Sequence, residues 1–155
     1  SCLFTGGAYH LVVSQTNAFY YCSAEAVTLS NFAYQIQMTI IKGDHGGISF
    51  RNPAGGSLYY FYIDTQGNYE LDLNKDHNFI KAIAHGSRPA IKTGYNQSNL
   101  IAVVAQGNSF DLYVNLQHLA HASDTTFSNG QVGVIAIDSG HPTEVVFSNA
   151  KVWEL

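Results

Sequence analysis

A chain of 155 residues fits one domain and buries roughly two-thirds of its unfolded surface, enough for a two-layer core. Hydrophobic residues make up 46% and aromatic residues 13%, but charged residues only 12% against a usual share of about 25%, so Asn, Ser, Thr, Gln and Gly must carry solubility. The net charge of -4 comes from scattered acids and leaves no basic stripe or patch, which excludes nucleic acid and anionic membrane surfaces as partners.

Apolar runs such as Leu100 to Ala105 fall far short of the ~20 residues that cross a bilayer, and no charged segment precedes an apolar one. The expectation is a domain without membrane insertion, with any export signal outside this chain. Two cysteines, Cys2 and Cys22, both fall in the N-terminal segment 1–31. Two readings stand: a pair of buried free thiols, or a disulfide in an oxidising compartment. Low charge, abundant Tyr and Asn, and the position of Cys2 at a terminus prone to fray favour the disulfide.

In chain order, Phe32 to Lys42 alternates Tyr34, Ile36, Met38 and Ile40 with Gln35, Gln37 and Thr39, the pattern of a half-buried strand. Ile48 and Phe50 alternate with Ser49 and Arg51, Asn52 to Ser57 is a turn cluster, and Leu58 to Asp64 is the next strand. Tyr69, Leu71 and Leu73 alternate with Glu70 and Asp72. Leu100 to Gln106, Phe110 to Val114, Gln131 to Ile137 and Glu144 to Trp153 add further strands, with a hairpin turn at Gly107-Asn108 and a weak helical signal over His118 to Ser123. Many short strands with polar turns predict one all-β sandwich or barrel spanning residues 1–155, with no linker and no repeat.

Several of these residues carry a family resemblance. The succession Asn31-Phe32 with Tyr34 to Thr39, Lys42-Gly43-Asp44, Gly46 to Arg51, Tyr59-Tyr60-Phe61, the Asn99 to Gly107 hairpin and Val145 to Trp153 resembles the concanavalin A-like jelly roll over nearly the whole chain. More closely it resembles extracytoplasmic modules at the C-terminal end of bacterial membrane-bound serine/threonine kinase-like proteins. The resemblance implies two antiparallel sheets, one with a concave face that holds carbohydrate in sugar-binding relatives. It also implies an extracellular or extracytoplasmic place in a larger membrane-anchored protein.

That fold also hosts glycanases, in which a Glu, an Asp and a second Glu along one strand face the cleft. Here the corresponding stretch reads Glu70, Asp72 and Asn74, and an amide can serve neither as proton donor nor as base, so the expectation is no catalytic residue and no enzyme. Glu25, Glu144 and Glu154 lie too far off in sequence for spacing to recruit them, and no Gly-x-Ser-x-Gly elbow occurs. His118 and His121, three apart, point to opposite faces of a strand and lack a third ligand, so no metal site is expected from them. Lys42 to His45 and Asp138 to Thr143 are loops rich in oxygen ligands that leave room for one structural calcium, the sole cofactor considered.

The aromatic residues between Gly46 and Leu73 divide by parity. Tyr59, Phe61 and Ile63 join Ile48 and Phe50 in the core set, leaving Arg51, Tyr60 and Tyr62 on the opposite face. Rings with neighbouring planar polar groups suit a sugar, whose C–H patch stacks and whose hydroxyls need partners. Arg51, Tyr60 and Tyr62 are therefore the expected ligand-binding residues, with Tyr113, Gln37 and Asp72 as neighbours from the polar faces of their own strands. The function expected is a non-catalytic binding or sensor module for a glycan or another small polar ligand. A structural domain that meets a protein partner is the alternative, and a glycoside hydrolase-like domain the third reading.

Overall fold

The computed structural model describes residues 2–24 and 27–155, and the side chains of all of these except Phe4 and Thr5; Glu25 lies outside the described residues. Among the described residues thirteen strands follow one another: β1 (Cys2–Thr5), β2 (Ala8–Val13), β3 (Ala18–Ser23), β4 (Phe32–Lys42), β5 (His45–Ala54), β6 (Ser57–Asp64), β7 (Asn68–Lys75), β8 (Asn78–Ser87), β9 (Ser98–Gln106), β10 (Ser109–Val114), β11 (Gln117–Ser123), β12 (Gln131–Asp138) and β13 (Thr143–Glu154). They form an antiparallel seven-stranded sheet, ordered β1-β2-β13-β4-β9-β10-β11, and an antiparallel six-stranded sheet, ordered β3-β12-β5-β6-β7-β8. Among the described residues no helix is long and apolar enough to cross a membrane.

The core lies between the sheets and follows the period-2 pattern of the sequence. Phe32, Tyr34, Ile36, Met38 and Ile40 of β4 face Ile48 and Phe50 of β5 and Tyr59, Phe61 and Ile63 of β6, and all are buried. Burying side chains of this size at roughly 25 cal/mol per Å² of apolar surface is the main driving term of such a sandwich. The Tyr34 hydroxyl donates to the Gly133 carbonyl at 3.0 Å, satisfying the one polar atom its ring takes into the core. The segment with the weak helical signal is strand β11, and its irregularity comes from a bulge at Leu119 opposite Leu112 and Tyr113.

One residue of β5 breaks the alternation. Between Gly133↔Ser49 and Gln131↔Asn52 the β12 strand advances by two positions and β5 by three, so Arg51 is an extra, bulged residue with φ of 48°. Its side chain therefore turns inward, where it is 1% exposed. The guanidinium donates to the carbonyls of Ser30 (2.8 Å) and Phe127 (3.1 Å) and lies 5.2 Å from the centre of the Phe110 ring. The expectation that Arg51 shares a face with Tyr60 and Tyr62 is thus corrected: the bulge shifts parity by one, and carbonyls and a ring face take the place of water around the buried charge.

Cys2 and Cys22 form a disulfide that ties β1, an edge of one sheet, to β3, an edge of the other. Two predictions arise here. Native, unreduced protein should weigh two hydrogens less than reduced protein and resist alkylation, and reduction should cost about 3 kcal/mol of stability in denaturant unfolding; two freely alkylated thiols would contradict the pairing. Arg51→Ala should cost about 3 kcal/mol through the lost packing and the two carbonyls left behind, and Arg51→Lys should recover only part, because one ammonium cannot span both carbonyls in a planar fork. Wild-type stability in Arg51→Ala would show the buried guanidinium to be dispensable.

Candidate functional site

Strand register fixes which side chains leave the core on the six-stranded sheet. One row runs Tyr21, Ile135, Gly47, Tyr62, Glu70, His85 across all six strands, and the next runs Ser23, Gly133, Ser49, Tyr60, Asp72, Ala82. Because β5 carries the extra residue, Asn52 continues this face opposite Gln131, in the place parity assigns to Arg51. Gly47 and Gly133 are small by necessity, since a Cβ would run into the Phe61 carbonyl oxygen at the first and the Cys22 carbonyl oxygen at the second.

The large rings lie across that floor of small residues. Phe19 stacks on Tyr60 with ring centres 5.4 Å apart, and Tyr60 stacks on Tyr62 at 5.7 Å, so both faces of Tyr60 are taken. His45 meets Tyr62 edge to face at 5.2 Å and closes that end of the stack. With Leu58 and Ile135 beneath, Tyr60 is only 5% exposed: it supports the face rather than offering a ring to a ligand. Tyr62 is half-buried, and Tyr59 and Phe61 are buried in the core, as the alternation predicts.

Beside the rings stands the β7 row of Glu70, Asp72 and Asn74. The Tyr62 hydroxyl lies 2.6 Å from Glu70 Oε2 and 2.9 Å from Asp72 Oδ2, yet has one proton to donate. A second proton must be shared by the two carboxyls. Burial first, and then its contact and charge repulsion with Glu70, push Asp72 up to about 8 against hydrogen bonds from Tyr62 and Tyr60 that pull it down. The same burial and acids hold the Tyr60 and Tyr62 hydroxyls in their protonated forms.

The Glu70 and Asp72 carboxyls hydrogen-bond each other and one phenol, and the third position of the strand, where a glycanase carries its second Glu, is Asn74.

Six buried side-chain atoms among the described residues lack a hydrogen-bond partner in the protein, and five of them belong to this face: Ser49 Oγ, Asn52 Oδ1, Asp72 Oδ1 and both amide atoms of Asn74. The sixth is Arg51 Nε. All five atoms are buried, and a hydrogen bond left unmade at such an atom costs about 1–3 kcal/mol.

Tyr113 and Gln37 do leave the core, but from the other sheet. Tyr113 pairs with Ala102 and His118 on the outer side of the seven-stranded sheet, where Gln37 accepts from Ser98 Oγ at 2.8 Å. The whole sandwich separates them from Tyr60, Tyr62 and Asp72, which the structure brings together. The residues that sequence reasoning missed on this face are Phe19 and Tyr21, on an edge strand with one weakly patterned face, and Asn52, whose signal was the Pro53 that follows it and marks an irregular strand.

The histidine and loop candidates resolve differently from their spacing. The β11 bulge brings His118 and His121 to one face, where each ring nitrogen lies 2.8 Å from Asp111 Oδ1, and the three groups satisfy one another. Among the described residues no set of three His, Cys, Asp or Glu side chains is arranged to hold a metal ion. The loops considered for calcium meet at Asp44, but its carboxylate already accepts from the backbone N–H groups of Ser139 (2.7 Å) and His141 (3.1 Å) and pairs with the His141 ring.

No protein-family model and no curated protein sequence matches the chain. Solved structures do. The carbohydrate binding module CBM66 from Bacillus subtilis superposes with a TM-score of 0.83 at 19% identity, over 98% of this chain and 90% of that one. The exoplasmic/lumenal domain of VIP36, in its Ca2+/Man3GlcNAc-bound form, gives 0.71 at 10% identity over 100% of this chain and 81% of that one. A glycosyl hydrolase candidate from Parabacteroides distasonis gives 0.66 at 11% identity over 99% and 90%. The chain is thus an all-β, concanavalin A-like jelly-roll sandwich. Lectins and carbohydrate-binding modules are among its structural neighbours.

The shared proton has a measurable consequence. An acid whose pKa rises on folding keeps a proton in the native state that the unfolded chain releases above about pH 4. Its contribution to stability is therefore greatest in acid, declines as pH climbs towards about 8, and is level beyond. Asp72→Asn should flatten this decline and be more stable than wild type in denaturant unfolding at pH 8.5, with the advantage shrinking towards pH 5. An advantage that does not change with pH would show that Asp72 ionises normally in the fold.

Proposed function

We propose that the chain is a non-catalytic module that binds carbohydrate on the outer face of the six-stranded sheet. The observation that carries this is the gathering there of Ser49, Asn52, Asp72 and Asn74 atoms without protein partners, beside a wall of aromatic rings. A sugar supplies what such a face lacks: C–H patches for rings, and hydroxyls that donate and accept at adjacent positions. Names of structural neighbours, a carbohydrate binding module and a Man3GlcNAc-bound domain, support the ligand class. The amide at Asn74, where a glycanase's second Glu would stand, supports binding without hydrolysis.

The disulfide and the family resemblance support an extracytoplasmic place, as one binding unit within a larger membrane-anchored protein. A second reading, docking of a protein partner, draws on one observation: exposed Trp153 and Leu116 and half-buried Tyr113 line a hollow of about 230 Å³ on the outer side of the seven-stranded sheet.

The test is a glycan array carrying neutral and acidic oligosaccharides, with aryl glycosides assayed for turnover alongside. Retention of neutral glycans without turnover is the expected outcome. Retention of none would remove the carbohydrate reading and favour the protein partner, and turnover abolished by Glu70→Gln would restore the enzyme.

A further inference from the structure

The ring stack on the six-stranded sheet is closed at one end by His45 and open at the other, beyond Phe19. At that open end lies a hollow of about 800 Å³ whose walls are Phe19, Tyr20, Tyr21, Ser23, Asn52 and Gln131, together with the Cys2–Cys22 disulfide. It follows β3, and the stretch from Phe19 to Ser23 spans about 13 Å at ~3.3 Å per residue. Its size and length suit a chain of sugar rings.

The chemistry of its walls narrows the ligand. Among the described wall residues none carries a charge at neutral pH, so none of them pairs with a carboxylate, sulfate or amine. Phe19 and Tyr21, tilted to each other with centres 6.2 Å apart, supply ring surface that the Tyr60 stack does not consume. Asn52 is 3% exposed; its Nδ2 donates to Ser23 Oγ at 3.1 Å, and its Oδ1 has no partner in the protein. A buried amide held by one bond, with its acceptor unmet, is placed to read a hydroxyl. The Arg51 bulge is what brings Asn52 to this wall.

We infer that the hollow along β3 is the subsite for an uncharged oligosaccharide, with Phe19 and Tyr21 as stacking rings and Asn52 accepting from a sugar hydroxyl. Because it rests on the glycan-binding reading of the same sheet, its test must separate the two. Calorimetric titrations of the oxidised protein would use cellohexaose, laminarihexaose and mannohexaose, with hexagalacturonate as the acidic counterpart. At least one neutral hexasaccharide should bind, more tightly than the acidic one. Tyr21→Ala and Asn52→Ala should each weaken it about tenfold, and Gln37→Ala, on the opposite sheet, should not.

A second measurement needs no variant: the bound neutral hexasaccharide should slow reduction of Cys2–Cys22 by dithiothreitol, since the disulfide is part of the wall. Neutral binding that survives both substitutions and leaves the reduction rate unchanged would overturn the subsite but not the glycan reading, as would a loss confined to Glu70→Gln. Preference for hexagalacturonate would overturn the uncharged class, and binding of none of the four would overturn both.

Discussion

The extra residue that β5 carries opposite β12 shapes most of what is distinctive in this sandwich. A regular strand would send Arg51 out beside Tyr60 and leave Asn52 facing the core. The bulge reverses both. Inside, the guanidinium closes on the Ser30 and Phe127 carbonyls and so pins two connecting segments to the sheet, where Leu29 and Gly130 also pair. Outside, an uncharged amide stands on the outer face of the six-stranded sheet in place of a cation. A buried Arg is tolerated because its charge is delocalised, weakly hydrated and able to use several acceptors in one plane. One local irregularity thus places an amide rather than a guanidinium where β3 borders this face.

That acidic side is governed by a second constraint, the one proton of the Tyr62 hydroxyl shared between Glu70 and Asp72. Two acids this close cannot both ionise cheaply, so burial and repulsion together keep a proton between them. The pair then acts as a brace for Tyr62, and through Tyr62 for the stacked rings of Tyr60 and Phe19. Preorganised rings lose little freedom when a ligand arrives, which favours affinity without any new contact. What looks in sequence like a damaged catalytic strand works in the fold as a brace for the ring stack.

The interior strands were legible in the sequence and the borders were not. β4, β9, β10 and the first half of β13 show one core face in plain alternation, while β6, β7 and β12 bury residues of both faces and stand out by their apolar or aromatic content. β3, β8 and β11 are sheet edges, and so is β1; an edge strand packs against fewer neighbours, and β8 carries two bulged residues, Ile83 and Ile80, that scramble its period. β2 was hidden by its shortness and by the unpatterned segment around it. Parity placed Tyr60, Tyr62 and Asp72 on one face because no bulge interrupts β6 or the start of β7. It failed at Arg51, where one residue was added, and it misjudged Gln37 and Tyr113 for another reason: alternation tells which residues leave the core, not which of the two sheets they leave from. Likewise the spacing of His118 and His121 was read without the bulge that brings them together.

The central claim is that one particular face of the sandwich, and not its opposite, receives a neutral glycan. Backbone amide chemical-shift mapping during titration with a neutral hexasaccharide tests it most directly, with the indole of Trp153, the protein's one tryptophan, as an internal marker for the opposite sheet. The account predicts shifts concentrated at Phe19 to Ser23, Ser49 to Asn52 and Gln131 to Ile135, with the Trp153 indole signal unmoved. Shifts gathered instead at Ala33, Gln35, Ala102, Tyr113 and Trp153 would place the ligand on the seven-stranded sheet and contradict it.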